Sequence, residues 1–167
     1  DAALAAAIAL TVVEPTGNGL GSDGFAILWD GAELHGLNAS GRSPAGLGSD
    51  EISQRGWGSV TVPGAVSAWV ALSSRFGALP FETLFGPAID YAENGFAVSP
   101  IIARLWQLGG EALAGQPGFA ECFLPNGKAP KAGETFRNPA QAQSLRLIAE
   151  TKGAAFYTGT LAEQIAA

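Results

Sequence analysis

The chain has 167 residues, of which 47% are apolar, 14% are charged and a fifth are glycine (23) or proline (10), and its formal net charge is −6. This length holds one ordinary domain with a real core, and this apolar content excludes a wholly disordered chain. Nine Lys and Arg dispersed along the sequence argue against nucleic acid and anionic membrane as partners, no apolar run reaches transmembrane length, and the single cysteine, Cys122, excludes an internal disulfide.

Residues 2–13 are apolar nearly all round, the pattern of a buried helix, with Asp1 placed to cap it and Pro15 to end it. A glycine loop follows over 17–24. Residues 25–29 form a short apolar run that suits a buried strand. Asp30-Gly31 is a hairpin signal, with a return strand over 33–38. Residues 40–58 read as loop and 59–62 as a short strand or extended lead-in. Pro63 then opens a helix to about Phe76, with Val66, Trp69, Val70 and Ser73 on one face and Gly77 after it. Two short helical pieces, 80–85 and 87–94, end at Asn94-Gly95. Ser99-Pro100 caps a helix from Ile101 to about Leu108, and 115–137 read as loop. Asn138-Pro139 caps another helix, with Ala142, Leu145, Ile148 and Ala149 on one face. Residues 156–159 make a tight connection into a last helical run, 161–167. One hairpin followed by helices is an α+β pattern. Two strands do not make a stable sheet alone, so the hairpin needs strands from elsewhere. With the low charge and the helical runs at both ends, this leads to the expectation of a piece of a longer protein.

The chemistry legible in the residues is incomplete. Gly19-Leu20-Gly21-Ser22-Asp23-Gly24 spells G-x-G-x-x-G, but dinucleotide binding needs a strand before the motif and a helix after it, so that the pyrophosphate meets a helix N-terminus. Here the order is inverted. Two readings stay open: a tight turn that packs helix against strand, or such a turn with its N–H groups and Asp23 bordering a pocket. His35 is the only histidine, so any Ser-His-Asp or Cys-His set would have to use it. It lies in an expected strand and no G-x-S-x-G elbow is present, which favours a partly exposed strand residue. One His and one Cys do not close a zinc site, and no acidic run has calcium-loop spacing, so neither metal nor cofactor is expected. Cys122, beside Glu121 and without a basic neighbour, reads as a buried or inert thiol. The densest polar stretch at a strand end is Asn38-Ala39-Ser40-Gly41-Arg42-Ser43-Pro44. Its Arg42 is either a solvated surface residue or a planar fork for a carboxylate; Ser40, Asn38 and Asp23 are further candidates for lining a pocket. No nucleophile stands out, so no catalytic residue is assigned on this chain.

Five stretches together resemble the γ-glutamyltransferase (γ-glutamyl transpeptidase) family: Asp1-Ala2-Ala3-Leu4-Ala5-Ala6-Ala7; the glycine loop between Pro15 and Phe25; Ser59-Val60-Thr61-Val62-Pro63-Gly64-Ala65-Val66; Pro87-Ala88-Ile89 with Gly95-Phe96; and Phe156-Tyr157-Thr158-Gly159. They fall in the family's order and cover nearly the whole chain. The resemblance implies a single-domain fragment over 1–167, most of the large subunit of a precursor that cuts itself in two. It implies the four-layer αββα sandwich of N-terminal nucleophile hydrolases, with sheets completed by the small C-terminal subunit, the partner that also brings the nucleophile, an N-terminal Thr. The implied substrate is a small acyl amide, with glutathione-like amides among the candidates. The chain departs from the γ-glutamyl pattern in two places. Aligned on Pro44, the carboxylate-gripping Arg of that pattern is Ser40 here and the acidic residue after it is Gly41, with Arg42 two positions later. In the glycine loop, Gly19 stands for an asparagine and Ser22-Asp23 break the run of glycines. Both changes resemble the acylase-like branch, which includes relatives of cephalosporin acylases. The alternative that the resemblance leaves is a catalytically dead member or a non-enzymatic interaction subunit.

Overall fold

The computed structural model describes residues 1–48, 52 and 54–166; positions 49–51 and 53 of the expected loop and position 167 of the expected last helix lie outside the described residues. In chain order the elements are α1 (Ala2–Val13), β1 (Gly24–Trp29), β2 (Leu34–Ala39), α2 (Ala65–Phe76), α3 (Gly86–Asn94), β3 (Phe96–Ala97), α4 (Pro100–Leu113), α5 (Phe119–Phe123), β4 (Thr135–Phe136), α6 (Pro139–Glu150), α7 (Ala154–Thr158) and α8 (Thr160–Ala166), with 3-10 turns at 57–59, 81–85 and 125–127. The architecture is α+β. Among the described residues no helix is long and apolar enough to cross a membrane.

The core lies among α1, α2, α3 and α6. Ile8 and Val12 of α1, Val66 and Trp69 of α2, Phe85, Ala88 and Ala92 around α3, and Leu145 and Ile148 of α6 are all buried. The faces expected for α2 and α6 are the faces that pack there. Alanine lets the axes approach: Ala88, Ala92 and Ala142 are fully buried. Asn138 caps α6, its side-chain oxygen accepting from Gln141 N at 3.1 Å, and Ser99 caps α4, accepting from Ile102 N at 3.3 Å. A satellite cluster seats α4. Trp106 stacks edge-on against Phe136 and Phe123 and donates its indole N–H to the Phe123 carbonyl at 2.7 Å.

Several expectations are corrected. Asp1 stands at the N-cap of α1, but its side chain does not cap that helix; the carboxylate accepts from the Ala78 and Leu79 N–H groups just past α2, tying the two helices together. Helix α1 is buried on one side only, with Leu10 exposed. Helix α4 runs on to Leu113 through Gly109-Gly110, because Gly110 is buried against Leu124, where a side chain would crowd it. The stretch 115–137 holds α5 and β4. The latter pairs antiparallel with β3, Phe96 opposite Phe136, a contact between residues too distant in sequence for local pattern to reveal. Residues 156–158 are helical, within α7.

The hairpin matters most. β1 and β2 pair antiparallel, Gly24 opposite Ala39 through Trp29 opposite Leu34. Asp30-Gly31 opens a four-residue loop in which the Asp30 carboxylate accepts from the Ala32 and Glu33 N–H groups at 2.8 and 2.9 Å. The inner face, Ala26, Leu28 and Leu37 among it, is half-buried toward α2, whereas Phe25 (70% exposed), Ile27 (81%), Trp29 (62%) and Leu34 (67%) line the outer face. The expectation of a buried strand therefore fails within this chain. The residues are apolar for both faces, as in a sheet covered on both sides, but only one face is covered here.

Candidate functional site

The glycine loop, the end of β2, the lead-in to α2 and α7 meet at one junction, and the contacts there are between backbones. The Ala65 N–H donates to the Ser22 carbonyl at 2.9 Å, and the Val62 N–H donates to the Arg42 carbonyl at 2.9 Å. A Cβ on Gly41 would stand 1.6 Å from the Val62 carbonyl oxygen, and one on Gly64 would stand 1.8 Å from that of Ala39. Both positions therefore require glycine, for close approach rather than for an unusual φ. The Tyr157 hydroxyl closes the junction, donating to the Pro63 carbonyl at 2.8 Å and accepting from Ser67 N at 3.0 Å. Residues 60–62 thus lie outside both sheets, joined to the stretch after β2 through Arg42, while Ser59 ends the preceding 3-10 turn, against the expectation of a strand or extended lead-in over 59–62.

Three of the four expected site residues come together here. The Asp23 carboxylate accepts from Gly41 N at 3.1 Å, from the Thr61 hydroxyl at 3.3 Å and from the Ser40 hydroxyl at 3.3 Å. Asn38 accepts from Ser40 N at 2.9 Å through its side-chain oxygen, closing the turn. Asp23, Asn38 and Ser40 therefore hold one another and the backbone. Arg42, the fourth, is fixed at its carbonyl, but its side chain is exposed and forms no ion pair among the described residues. Sequence reasoning missed Thr61 and Tyr157. Both lie in stretches that carry the resemblance, but their role depends on contacts 38 to 94 positions away.

Behind the junction is a cavity of about 270 Å³ lined by the α1 face (Ala7, Leu10, Thr11), the glycine loop with Asp23, and Ala68 and Leu72 of α2. A larger cleft of about 640 Å³ lies between α4 and the 127–132 segment, with Arg104, Lys128, Lys131 and Glu111 on its walls. The fold thus gathers cations that the sequence disperses.

At the hairpin loop, His35 is held on both ring nitrogens. Nε2 lies 2.7 Å from the Asp30 carboxylate and Nδ1 lies 3.0 Å from the Arg75 guanidinium, with the ring against Phe76. Since a guanidinium only donates, Nδ1 is the acceptor and Nε2 carries the proton. The Asp30 carboxyl is held well below the usual carboxylate range, first by the Glu33 N–H, then by His35 and the Ala32 N–H. Ligand atoms of Asp30, Glu33 and His35 lie within 4.8 Å of one another. A metal there would have to displace the Nε2 proton and turn Nδ1 into a donor facing Arg75, so the cluster fits a structural clasp better than an ion site. Cys122 is exposed, which removes burial from the two readings of that thiol.

Comparison with known proteins gives this geometry a setting. The Gamma-glutamyltranspeptidase family profile matches residues 1–167. The glutathione hydrolase-like YwrD proenzyme of Bacillus subtilis is 40% identical over 174 residues, covering 99% of this chain and 33% of that protein. The oxamate amidohydrolase proenzyme of Klebsiella pneumoniae is 40% identical over 181 residues, covering 99% and 34%. Among solved structures, the cephalosporin acylase from Bacillus halodurans superposes with a TM-score of 0.92 at 44% identity, over 98% of this chain and 33% of that one. The Helicobacter pylori gamma-glutamyltranspeptidase gives 0.92 at 26% identity, over 98% and 51%. The chain spans about a third of the length of the curated relatives it matches.

Proposed function

Because the chain belongs to the gamma-glutamyltranspeptidase family, we propose that it is part of the large subunit of a self-processing amide hydrolase or acyltransferase whose small C-terminal subunit supplies the nucleophile. The observation that carries this reading is the hairpin: apolar on both faces, open on one, and ending in a backbone-pinned turn whose guanidinium has no ion pair among the described residues. The second sheet of the sandwich would cover Phe25, Ile27, Trp29 and Leu34 and bring a Thr to the end of β2.

Chemistry then follows from what cleavage creates. A Thr hydroxyl is a poor nucleophile near neutral pH and needs a base at hand. The α-amine freed by self-cleavage, with an ordinary pKa near 8, is that base. The hydroxyl oxygen attacks the acyl carbonyl, the amine takes its proton and passes it to the departing nitrogen, and an acyl ester remains. Backbone donors hold the oxyanion meanwhile. Water, or an acceptor amine, adds to the ester and releases the acyl group. On this chain, Arg42 anchors a carboxylate at the far end of the acyl group, a task for which the guanidinium fork is suited. Asp23, Asn38 and Ser40 shape the wall from which Arg42 projects. The substrate is a small acyl amide, and with Ser40 and Gly41 at the positions discussed above we place the chain with the acylase-like members rather than with enzymes for glutathione.

The intact masses of all polypeptides in a denatured sample of the full-length product test this directly. Two chains, the smaller beginning in Thr, are expected. A single uncut chain would favour an interaction subunit or a dead member of the family.

A further inference from the structure

The two departures noted in the sequence, Ser22-Asp23 in the glycine loop and Ser40-Gly41 at the end of β2, are 17 or 18 residues apart in the chain, yet they are the two halves of one hydrogen-bonded unit. The Asp23 carboxylate accepts from Ser40 Oγ and Gly41 N, and Thr61, on the lead-in to α2, adds a third donor. One carboxylate therefore links three separate segments. Directly after this clasp comes Arg42, whose carbonyl is held from the other side by Val62 N at 2.9 Å. Gly41 lies so close to Val62 that no side chain fits between them. The backbone that carries Arg42 is thus pinned on two sides, by Asp23 and by Val62.

Asp23 is hydrogen-bonded to the residue just before Arg42 in the chain. Asp23 does not pair with Arg42; its oxygens are taken by Gly41, Ser40 and Thr61. The arrangement occupies the negative group and, among the described residues, leaves the Arg42 guanidinium without an ion pair. We propose that Asp23, with Thr61, is a positioning residue that presents Arg42 as a carboxylate receptor and so selects acyl groups ending in a carboxylate over neutral ones of the same length. This rests on the reading of Arg42 as the anchor in an acyl amide hydrolase.

The test uses the processed full-length enzyme and a matched pair of chromogenic amides, succinyl-p-nitroanilide and butyryl-p-nitroanilide, equal in chain length and different in the terminal charge. The readout is the ratio of their kcat/KM values, which a general loss of folded enzyme leaves unmoved. Asp23→Ala is expected to lower the succinyl-to-butyryl ratio on the order of tenfold, mainly through the KM for the succinyl amide, as small misplacements of a substrate clamp do. Asp23→Asn keeps an acceptor for Gly41 and Thr61 and an amide for Ser40, and recovers most of that loss. Thr61→Val gives a smaller fall of the same kind.

Arg42→Ala is measured in parallel and separates this proposal from the reading beneath it. If Arg42→Ala leaves the ratio unchanged, Arg42 is not the anchor and both fall. If Arg42→Ala collapses the ratio but Asp23→Ala does not, the anchor stands and the positioning role is wrong. A rise in the ratio on Asp23→Ala would mean that Asp23 repels the substrate, which also overturns the proposal. In the Arg42→Ala background, Asp23→Ala is expected to have little further effect on the ratio, since a positioning residue acts only through the group it positions. Turnover of neither anilide would remove the hydrolase reading and this inference with it.

Discussion

Gly64 offers a severe test of the junction, because its substitution adds a single methyl group whose collision can be measured. In Gly64→Ala the new Cβ would stand 1.8 Å from the Ala39 carbonyl oxygen and 2.8 Å from its carbon, both backbone atoms that cannot swing aside as a side chain would. Opening the first contact to 3.0 Å, the lower limit for a real Cβ, needs about 1.2 Å of separation between the end of β2 and the start of α2. That movement stretches the Val62–Arg42 hydrogen bond, which joins the stretch after β2 to the lead-in of α2, from 2.9 Å past its useful range. Overpacking of this sort costs about 1–3 kcal/mol, and the lost hydrogen bond adds about 1 kcal/mol. The apparent melting temperature of the full-length protein should fall by roughly 5 °C. If Arg42 anchors substrate, a displacement near 1 Å should also lower kcat/KM for succinyl-p-nitroanilide by up to about 100-fold. Thermal denaturation and steady-state kinetics on one preparation check both figures. A Gly64→Ala protein with wild-type melting and wild-type kinetics would show that β2 and α2 do not meet as described.

Tyr157→Phe removes one hydroxyl with two partners, Pro63 O and Ser67 N, and should destabilise by about 1–2 kcal/mol, seen as a lower urea midpoint without a change in slope. Gly109→Ala should raise stability by about 1 kcal/mol, because α4 passes through a glycine with open space around it; Gly110→Ala should not, since its Cβ would meet Leu124 at 3.2 Å. For Asp30, a carboxyl held below the ordinary range contributes stability above the unfolded value near 3.9 and loses it as pH falls through the folded one. The stability gap between wild type and Asp30→Asn should therefore narrow below about pH 4; urea midpoints measured from about pH 5 downward would contradict this if the gap widened in acid.

Where local rules decide, the sequence and the structure agree. α1 begins and ends where the alanine-rich run does, α6 starts at its Asn138-Pro139 cap, and the α2 and α6 core faces follow the 3.6-residue period. Agreement ends where tertiary contacts take over. Two consecutive glycines should close a helix, yet α4 continues through them because the absence of a side chain at Gly110 admits Leu124. β3 and β4 are two residues each and exist only by pairing across nearly forty positions, so no periodicity could announce them. At the site, Asn38, Ser40 and Arg42 were legible as a polar stretch closing a strand. That Asp23 belongs with Ser40 was not, since hydrogen bonds leave no trace in spacing. Thr61 was legible only as part of a motif, without a task.

The hairpin shows how a wrong expectation can still inform. An apolar run of five residues reads as buried, and within this chain three of the five are exposed, Ile27 at 81%. Alternation would have been the economical pattern for a sheet with one wet face, and β1 does not alternate. Its neighbour β2 does so only weakly, with Leu34 outward beside Trp29 and Asn38 outward beside Phe25. A sequence keeps apolar residues on an outward face when something apolar covers it, for otherwise such a face invites association. The low charge of the whole chain, 14% against about 25% in ordinary soluble domains, follows from the same requirement. Asn38 is the outward residue nearest the end of β2, one position from Ala39, whose carbonyl meets Gly64. The outer face thus stays apolar to its end, Phe25 standing opposite Asn38, and the pinned polar turn with Arg42 begins just beyond it.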